Sequence, residues 1–156
     1  MAKVSKIMIA NVPTLKKGAS IEDAVRLLAR QVIGCVVIVE GKTPVGIVTE
    51  LDILRQFSSK SINPKDTVSK IMTSPVTSMS LYTKLDEALK IIDSKRYRRY
   101  PVVENNELVG IVTKKDVVNV ISDNIKLHRR IQDTVLVLFV LFEFTVFAYI
   151  NYVRNA

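Results

Sequence analysis

Two threonine–aspartate pairs stand out for the chemistry they can do: Thr49-x-x-Asp52 within "GIVTELD" and Thr113-x-x-Asp116 within "GIVTKKD". In each, a short apolar run ends at the threonine and an amphipathic stretch begins after it, which sets the pair at the mouth of a helix. A helix start presents unsatisfied backbone N–H groups and the positive end of the peptide dipole, an arrangement suited to phosphate. The threonine hydroxyl adds a donor, and a carboxylate one turn on can accept hydrogen bonds from both hydroxyls of a ribose. The same residues also spell a helix cap, which stabilises a helix start by about 1 kcal/mol with no ligand present. The two readings are compatible, because a cap can be shared with a ligand. Gly46 and Gly110 are expected to keep the preceding strand bare where a ligand approaches.

Other chemistry has little to draw on. The 156 residues include one cysteine, Cys35, and one histidine, His128, so an internal disulfide and a cysteine metal cluster are excluded, and a histidine zinc site lacks ligands. Cys35 sits within the apolar run "CVVIV" and reads as a buried structural thiol. His128 lies beside Arg129 and Arg130, far in sequence from any carboxylate cluster, so no nucleophile and base can be paired through it. An enzyme is not expected. The formal net charge of +8 invites nucleic acid or anionic lipid, yet the excess is spread: residues 1–62 carry nine Lys and Arg against five acids, 63–126 eleven against eight, and 127–156 three against two. Only "KRYRRY", residues 95–100, concentrates it, as a solvated face or an anion contact.

The elements that must position these residues come twice. An offset of 64 residues, with no gap, relates residues 4–54 to their second copies: "VSKIM" at Val4–Met8 returns at Val68–Met72, and "VGIVT" returns as "VGIVT". This is an internal duplication. Each copy opens with an extended lead-in segment ("IMIANVPTL", "IMTSPVTSM"). An amphipathic helix follows, with Ile21, Ala24, Val25 and Leu28 or Leu85, Ala88, Leu89 and Ile92 at helical spacing. Ser20 with Asp23, and Thr83 with Asp86, are expected to cap these helices. Two short strands joined by a tight polar loop come next, and a second helix starts after each threonine. A unit of about 60 residues buries its sheet poorly alone, so two copies packed sheet to sheet in an α+β sandwich with pseudo-twofold symmetry are expected. The boundaries predicted are 1–62, 63–126 and 127–156.

With the lead-in "IM", the "EDAVRLL" type of helix and a doubled G-I-V-T-x-x-D opening a helix, residues 4–126 resemble a tandem pair of CBS domains, a Bateman module. The resemblance implies an adenosine-containing ligand (AMP, ADP, ATP or S-adenosylmethionine) in the clefts between copies, regulating a partner, and a homodimer. In the family the base is held between an apolar strand ending in Pro and the lead-in segment. Tyr100, Pro101 and Val76 fill those places in the second copy, and Val12 answers Val76 in the first. Arg98 and Arg99 are expected to reach phosphate, for which the guanidinium fork is well shaped. The family's glycine before this strand is Tyr97 in the second copy but is kept as Gly34 in the first, which has Val37 in place of the Pro. The resemblance thus implies one strong site around Thr113 and Asp116 and a weaker or empty one around Thr49 and Asp52.

Residues 134–153, "TVLVLFVLFEFTVFAYINYV", hold a single charge, Glu143, over a length that suits a membrane-crossing helix. Lys126, Arg129 and Arg130 precede it and Arg154 follows, a bias that keeps the repeats inside, with Tyr149 and Tyr152 placed like interface aromatics. A buried helix or strand in a dimer interface is the rival. The leading segment "MAKVSKIMIANVPTLKKG" has no apolar core of the kind a secretory signal needs, so a cytoplasmic pair, anchored or not, is expected. Three functions follow: a nucleotide-sensing regulatory module, a nucleic-acid-binding protein using the basic surface, and a structural dimerisation unit with empty clefts.

Overall fold

Each copy builds the same run of elements, for local reasons. The computed structural model describes residues 2–30, 34–58, 63–95 and 97–155, without the side chains of 124, 128, 147–153 and 155. In the first copy a 3-10 turn (Val4–Lys6) leads to strand β1 (Thr14–Lys16), helix α1 (Ile21–Arg30), strands β2 (Cys35–Glu40) and β3 (Thr43–Thr49), and helix α2 (Glu50–Ser58). The second repeats that order as a 3-10 turn (Val68–Lys70), β4 (Met79–Ser80), α3 (Leu85–Ser94), β5 (Arg99–Glu104), β6 (Glu107–Thr113) and α4 (Lys114–Asn155).

Ser20 starts α1 through a reciprocal cap. Its hydroxyl accepts from the Asp23 N–H at 3.0 Å, while Asp23 Oδ2 accepts from the Ser20 N–H at 3.2 Å and from its hydroxyl at 2.6 Å. The cap expected from Thr83 and Asp86 does not form. The 64-residue register sets Lys84, not Thr83, in the place of Ser20, and α3 starts from Lys84 with no side-chain cap. The Leu85 N–H donates instead to the Ala2 carbonyl at 3.1 Å. Ile21, Ala24 and Leu28 of α1 and Leu85, Ala88 and Ile92 of α3 are buried, as helical periodicity requires.

The hairpins turn on two residues each. Gly41 takes φ +63° in the first, and Asn105 and Asn106 take +48° and +65° in the second, the left-handed backbone that two-residue hairpins need and that Gly and Asn tolerate. Both hairpins carry a register shift at the same place, between Ile38 and Val39 and between Val102 and Val103. Parallel β1 and β4 complete two three-stranded sheets, β1-β2-β3 and β4-β5-β6. Alternate residues of β2 enter different cores. Val36 and Ile38 join Ala24, Leu28, Val48 and Val68, whereas Cys35 and Val37 join Ile47 and Ile111 of the second copy. Each fully buried Val or Ile contributes about 1.5–3 kcal/mol.

The lead-in segments are exchanged between copies. Ile9 pairs with Ile111 through bonds of 2.8 and 2.9 Å, and Thr73 with Ile47 through bonds of 2.9 and 3.1 Å. The Val4 N–H donates to the Thr83 carbonyl and the Val68 N–H to that of Ala19, both at 2.9 Å. Each copy therefore closes the sheet edge and helix start of the other. This exchange gives the doubling of Gly46 and Gly110 a cause other than ligand approach. A β-carbon on Gly46 would lie 2.5 Å from Met72 Sδ, and one on Gly110 would lie 2.8 Å from Met8 Sδ and 2.9 Å from the Ile9 carbonyl. The glycines make room for the other copy's lead-in segment.

The compact unit that holds both copies runs through Val117, and a second unit starts at Val118. Residues 127 onward do not start a new element, because α4 runs unbroken for 42 residues. Val135, Leu138 and Phe142 are each at least 60% exposed. Among the described residues no helix is long and apolar enough to cross a membrane; Tyr149, Tyr152 and the rest of 147–153 lie outside the described side chains.

Candidate functional site

Both threonine–aspartate pairs form the cap. Thr49 ends β3, and its N–H and hydroxyl donate to Asp52 Oδ2 at 2.9 and 2.7 Å while the hydroxyl oxygen accepts from the Asp52 N–H at 3.3 Å. Thr113 and Asp116 repeat the pattern at 3.0, 2.6 and 3.2 Å. The hydroxyl proton expected for phosphate is thus spent on the aspartate. All three bonds leave one carboxylate oxygen uncommitted. Among the described residues Asp52 Oδ1 meets only Arg55 Nη1, at 4.0 Å, so it keeps the lone pairs that a sugar hydroxyl needs.

Beside Thr49 and Asp52 opens a cavity of about 550 Å³, within the range of small-ligand sites. The first copy supplies Gly34, Ile47, Glu50, Leu51 and Arg55, and the second supplies Thr73, Tyr97, Arg98 and Arg99. Thr73 arrives because the lead-in segment is exchanged onto Ile47. Arg98 and Arg99 arrive at the start of β5, although the backbone of Arg99 pairs with Thr113. Gly34 seats the arginine: its φ is +64°, and a β-carbon there would lie 3.1 Å from Arg99 Nη2 and 3.2 Å from Glu50 Oε2.

The electrostatics of this wall are unbalanced. Arg99 Nε is buried with no hydrogen-bond partner, and among the described residues neither Arg98 nor Arg99 has a carboxylate within 4 Å. A buried donor left unpaired costs roughly 1–3 kcal/mol. Cys35, behind Arg99, has its thiol pushed up to about 11, chiefly by burial, with Arg99 pulling it down and Glu50 pushing it up. It stays a protonated core thiol.

The sequence grouping of the site residues comes apart here. Thr49, Asp52, Arg98 and Arg99 share one cavity, so the arginines meet the first copy's aspartate. Sixty-four residues before Thr73, Arg98 and Arg99 stand Ile9, Gly34 and Cys35, with no guanidinium among them; the counterpart of Gly34 is therefore Arg98 and not Tyr97. Tyr100 is fully buried and its hydroxyl donates to the Tyr97 carbonyl at 3.0 Å; burial foremost, then Asp93 and Tyr97, raises its titration. It packs as core, and Tyr97 is the tyrosine of the cavity wall. Pro101 is buried opposite Ile111. Val12 and Val76 pack against the Cys35, Val37, Ile47 and Ile111 cluster. Sequence reasoning missed Glu50, Arg55 and Thr73. Arg55 was legible, being three residues past Asp52 on a helix. Thr73 was not, since nothing local announces the exchange.

The CBS domain model matches residues 4–59 and 68–123, two copies that together cover most of the chain. The chain belongs to the CBS domain family. A protein of Methanopyrus kandleri is 37% identical over 109 residues, covering 66% of this chain, and the chain spans 56% of that relative's length. Among solved structures, a CBS domain protein of Pyrobaculum aerophilum complexed with AMP is 26% identical with a TM-score of 0.67, over 74% of this chain and 89% of that one. The CBS domain pair of the protein MJ0100, in complex with 5′-methylthioadenosine and S-adenosyl-L-methionine, is 25% identical with a TM-score of 0.70, over 80% and 98%. The tandem CBS pair is thus the frame in which the Asp52 cavity sits.

Proposed function

We propose that this CBS pair is a regulatory module that senses an adenine nucleotide in the cavity beside Asp52 and controls a partner. The observation that carries the reading is the pair of unneutralised guanidinium groups, Arg98 and Arg99, facing a helix start and a carboxylate with one oxygen to spare. Phosphate answers the arginines and the α2 N-terminus, and the ribose hydroxyls answer Asp52 Oδ1. CBS pairs of similar fold bind AMP in one case and S-adenosylmethionine with methylthioadenosine in another. Here the arginines favour the phosphorylated ligand, since a sulfonium would face like charge. Regulation requires that the nucleotide bind one arrangement of the copies better than another. Calorimetric titration of the full chain with AMP, ADP, ATP and S-adenosylmethionine tests the reading. One equivalent of adenine nucleotide per chain and no heat from S-adenosylmethionine are expected; no heat from any of the four would remove it.

The helix α4 supports a second role, association with a lipid surface. Val135 to Phe142 are eight consecutive apolar residues, each more than half exposed, and eight residues pass through more than two helical turns. Lys126, Arg129 and Arg130 on the leading side suit anionic headgroups. Flotation of the full chain with anionic vesicles, lost in Leu138→Glu, is the expected outcome. Leu54 and Phe57 of α2, 61% and 72% exposed, are proposed to meet a second copy, and light scattering should give twice the chain mass.

A further inference from the structure

We infer that Glu50 sets how many phosphates the cavity accepts, holding it to a nucleoside monophosphate. The inference rests on the nucleotide reading above and goes on to name the ligand class. Five ionised side chains line the wall: Glu50, Asp52, Arg55, Arg98 and Arg99. Asp52 and Arg55 answer one another at 4.0 Å. That leaves two guanidinium groups against one carboxylate, a single positive charge in excess, beside the N-terminus of α2. Glu50 stands with the arginines, for its Oε2 and Arg99 Nη2 approach the same point on Gly34, at 3.2 and 3.1 Å from where a β-carbon would be. The Cys35 thiol feels the two in opposite senses. One phosphate is matched by this arrangement. Each further phosphate is brought into a wall where a carboxylate already stands, and like charges held close in a cavity are poorly screened by salt.

The acid belongs to this cleft and not to the repeat, because the matching residue of the second copy is Lys114. An acid in the first turn of a helix also stabilises the helix through its dipole. That structural role acts on folding and leaves the relative affinities of AMP and ATP unmoved, so the ratio separates the two roles.

The test is calorimetry of the full chain with AMP, ADP and ATP in magnesium-free buffer, for wild type, Glu50→Gln, Glu50→Lys and Glu50→Asp. Wild type is expected to bind AMP at least tenfold more tightly than ATP, Glu50→Gln to bring that ratio close to one, Glu50→Lys to invert it, and Glu50→Asp to keep the AMP preference. A wild type that binds ATP as well as AMP, or a ratio unchanged in Glu50→Gln, overturns the inference; AMP binding in either case leaves the nucleotide reading standing. A wild type with no affinity for any of the three removes both. Should the Gln and Lys variants fail to fold, Glu50→Ala takes their place, with the ratio again expected to fall close to one and an unchanged ratio overturning the inference.

Discussion

The two clefts of this CBS pair start from the same four-residue cap and diverge in what the other copy delivers to it. At Asp52 the exchanged segment and β5 bring Thr73, Arg98 and Arg99; at Asp116 the equivalent positions hold Ile9, Gly34 and Cys35. Duplication copies the cap and the fold, while ligand chemistry depends on residues supplied across the copy boundary. The cap contributes to folding in both places. Among the described residues, the guanidinium groups of Arg98 and Arg99 line the cavity at Asp52 with no carboxylate within 4 Å.

The sharpest way to break this comparison is to remove those cations. Arg98→Ala with Arg99→Ala is expected to weaken AMP binding by a hundredfold or more in calorimetry, from loss of two charge-assisted contacts. Folding stability should fall little or rise, because Arg99 Nε is a buried donor without a partner. Equal loss of binding and stability would return the arginines to a structural role.

A second comparison sets Gly46→Ala against Gly110→Ala in urea unfolding. Overpacking a fitted contact costs about 1–3 kcal/mol. Gly110→Ala should be the worse, since its β-carbon meets the Ile9 backbone carbonyl as well as Met8, whereas Met72 opposite Gly46 is a flexible side chain. The reverse order would deny the exchanged packing.

The pH dependence of stability isolates the wall behind Arg99. The Cys35 thiol is raised from 9.0 to about 11 in the folded chain, so its contribution is complete below pH 9 and is lost as pH rises toward 11, by about 2–3 kcal/mol. Unfolding midpoints should drop across that window, and Cys35→Ala should flatten the drop. Smallest is the cap itself: Thr49→Val and Thr113→Val are each expected to cost about 1 kcal/mol, nearly alike in the two copies.

The duplication, both hairpins and the inward faces of α1 and α3 were legible because their signals are local: a repeat at fixed offset, short polar loops with Gly or Asn between apolar runs, and apolar residues at helical spacing; the turns themselves are tighter, two residues each. The continuation of α4 past residue 126 was missed, although no Gly or Pro follows Gly110 to stop a helix. The pairing of Arg98 and Arg99 with Asp52 was hidden because it follows from Ile9 and Thr73 changing partners between copies, a long-range choice with no local composition. Thr83 misled for a simpler reason. It offers the right side chain one residue out of register, and Lys84 took the cap position. The resemblance places Tyr100 against the base through the strand that leads into Pro101, whereas its place in β5 buries it fully in the core.

The most direct measurement is the AMP affinity of Asp52→Ala beside that of Asp116→Ala, by calorimetry on folded, full-length protein. A tenfold or greater loss is expected in Asp52→Ala, with Asp116→Ala within about twofold of wild type. Equal losses, or a loss confined to Asp116→Ala, would contradict the assignment of the ligand to the arginine-lined cleft.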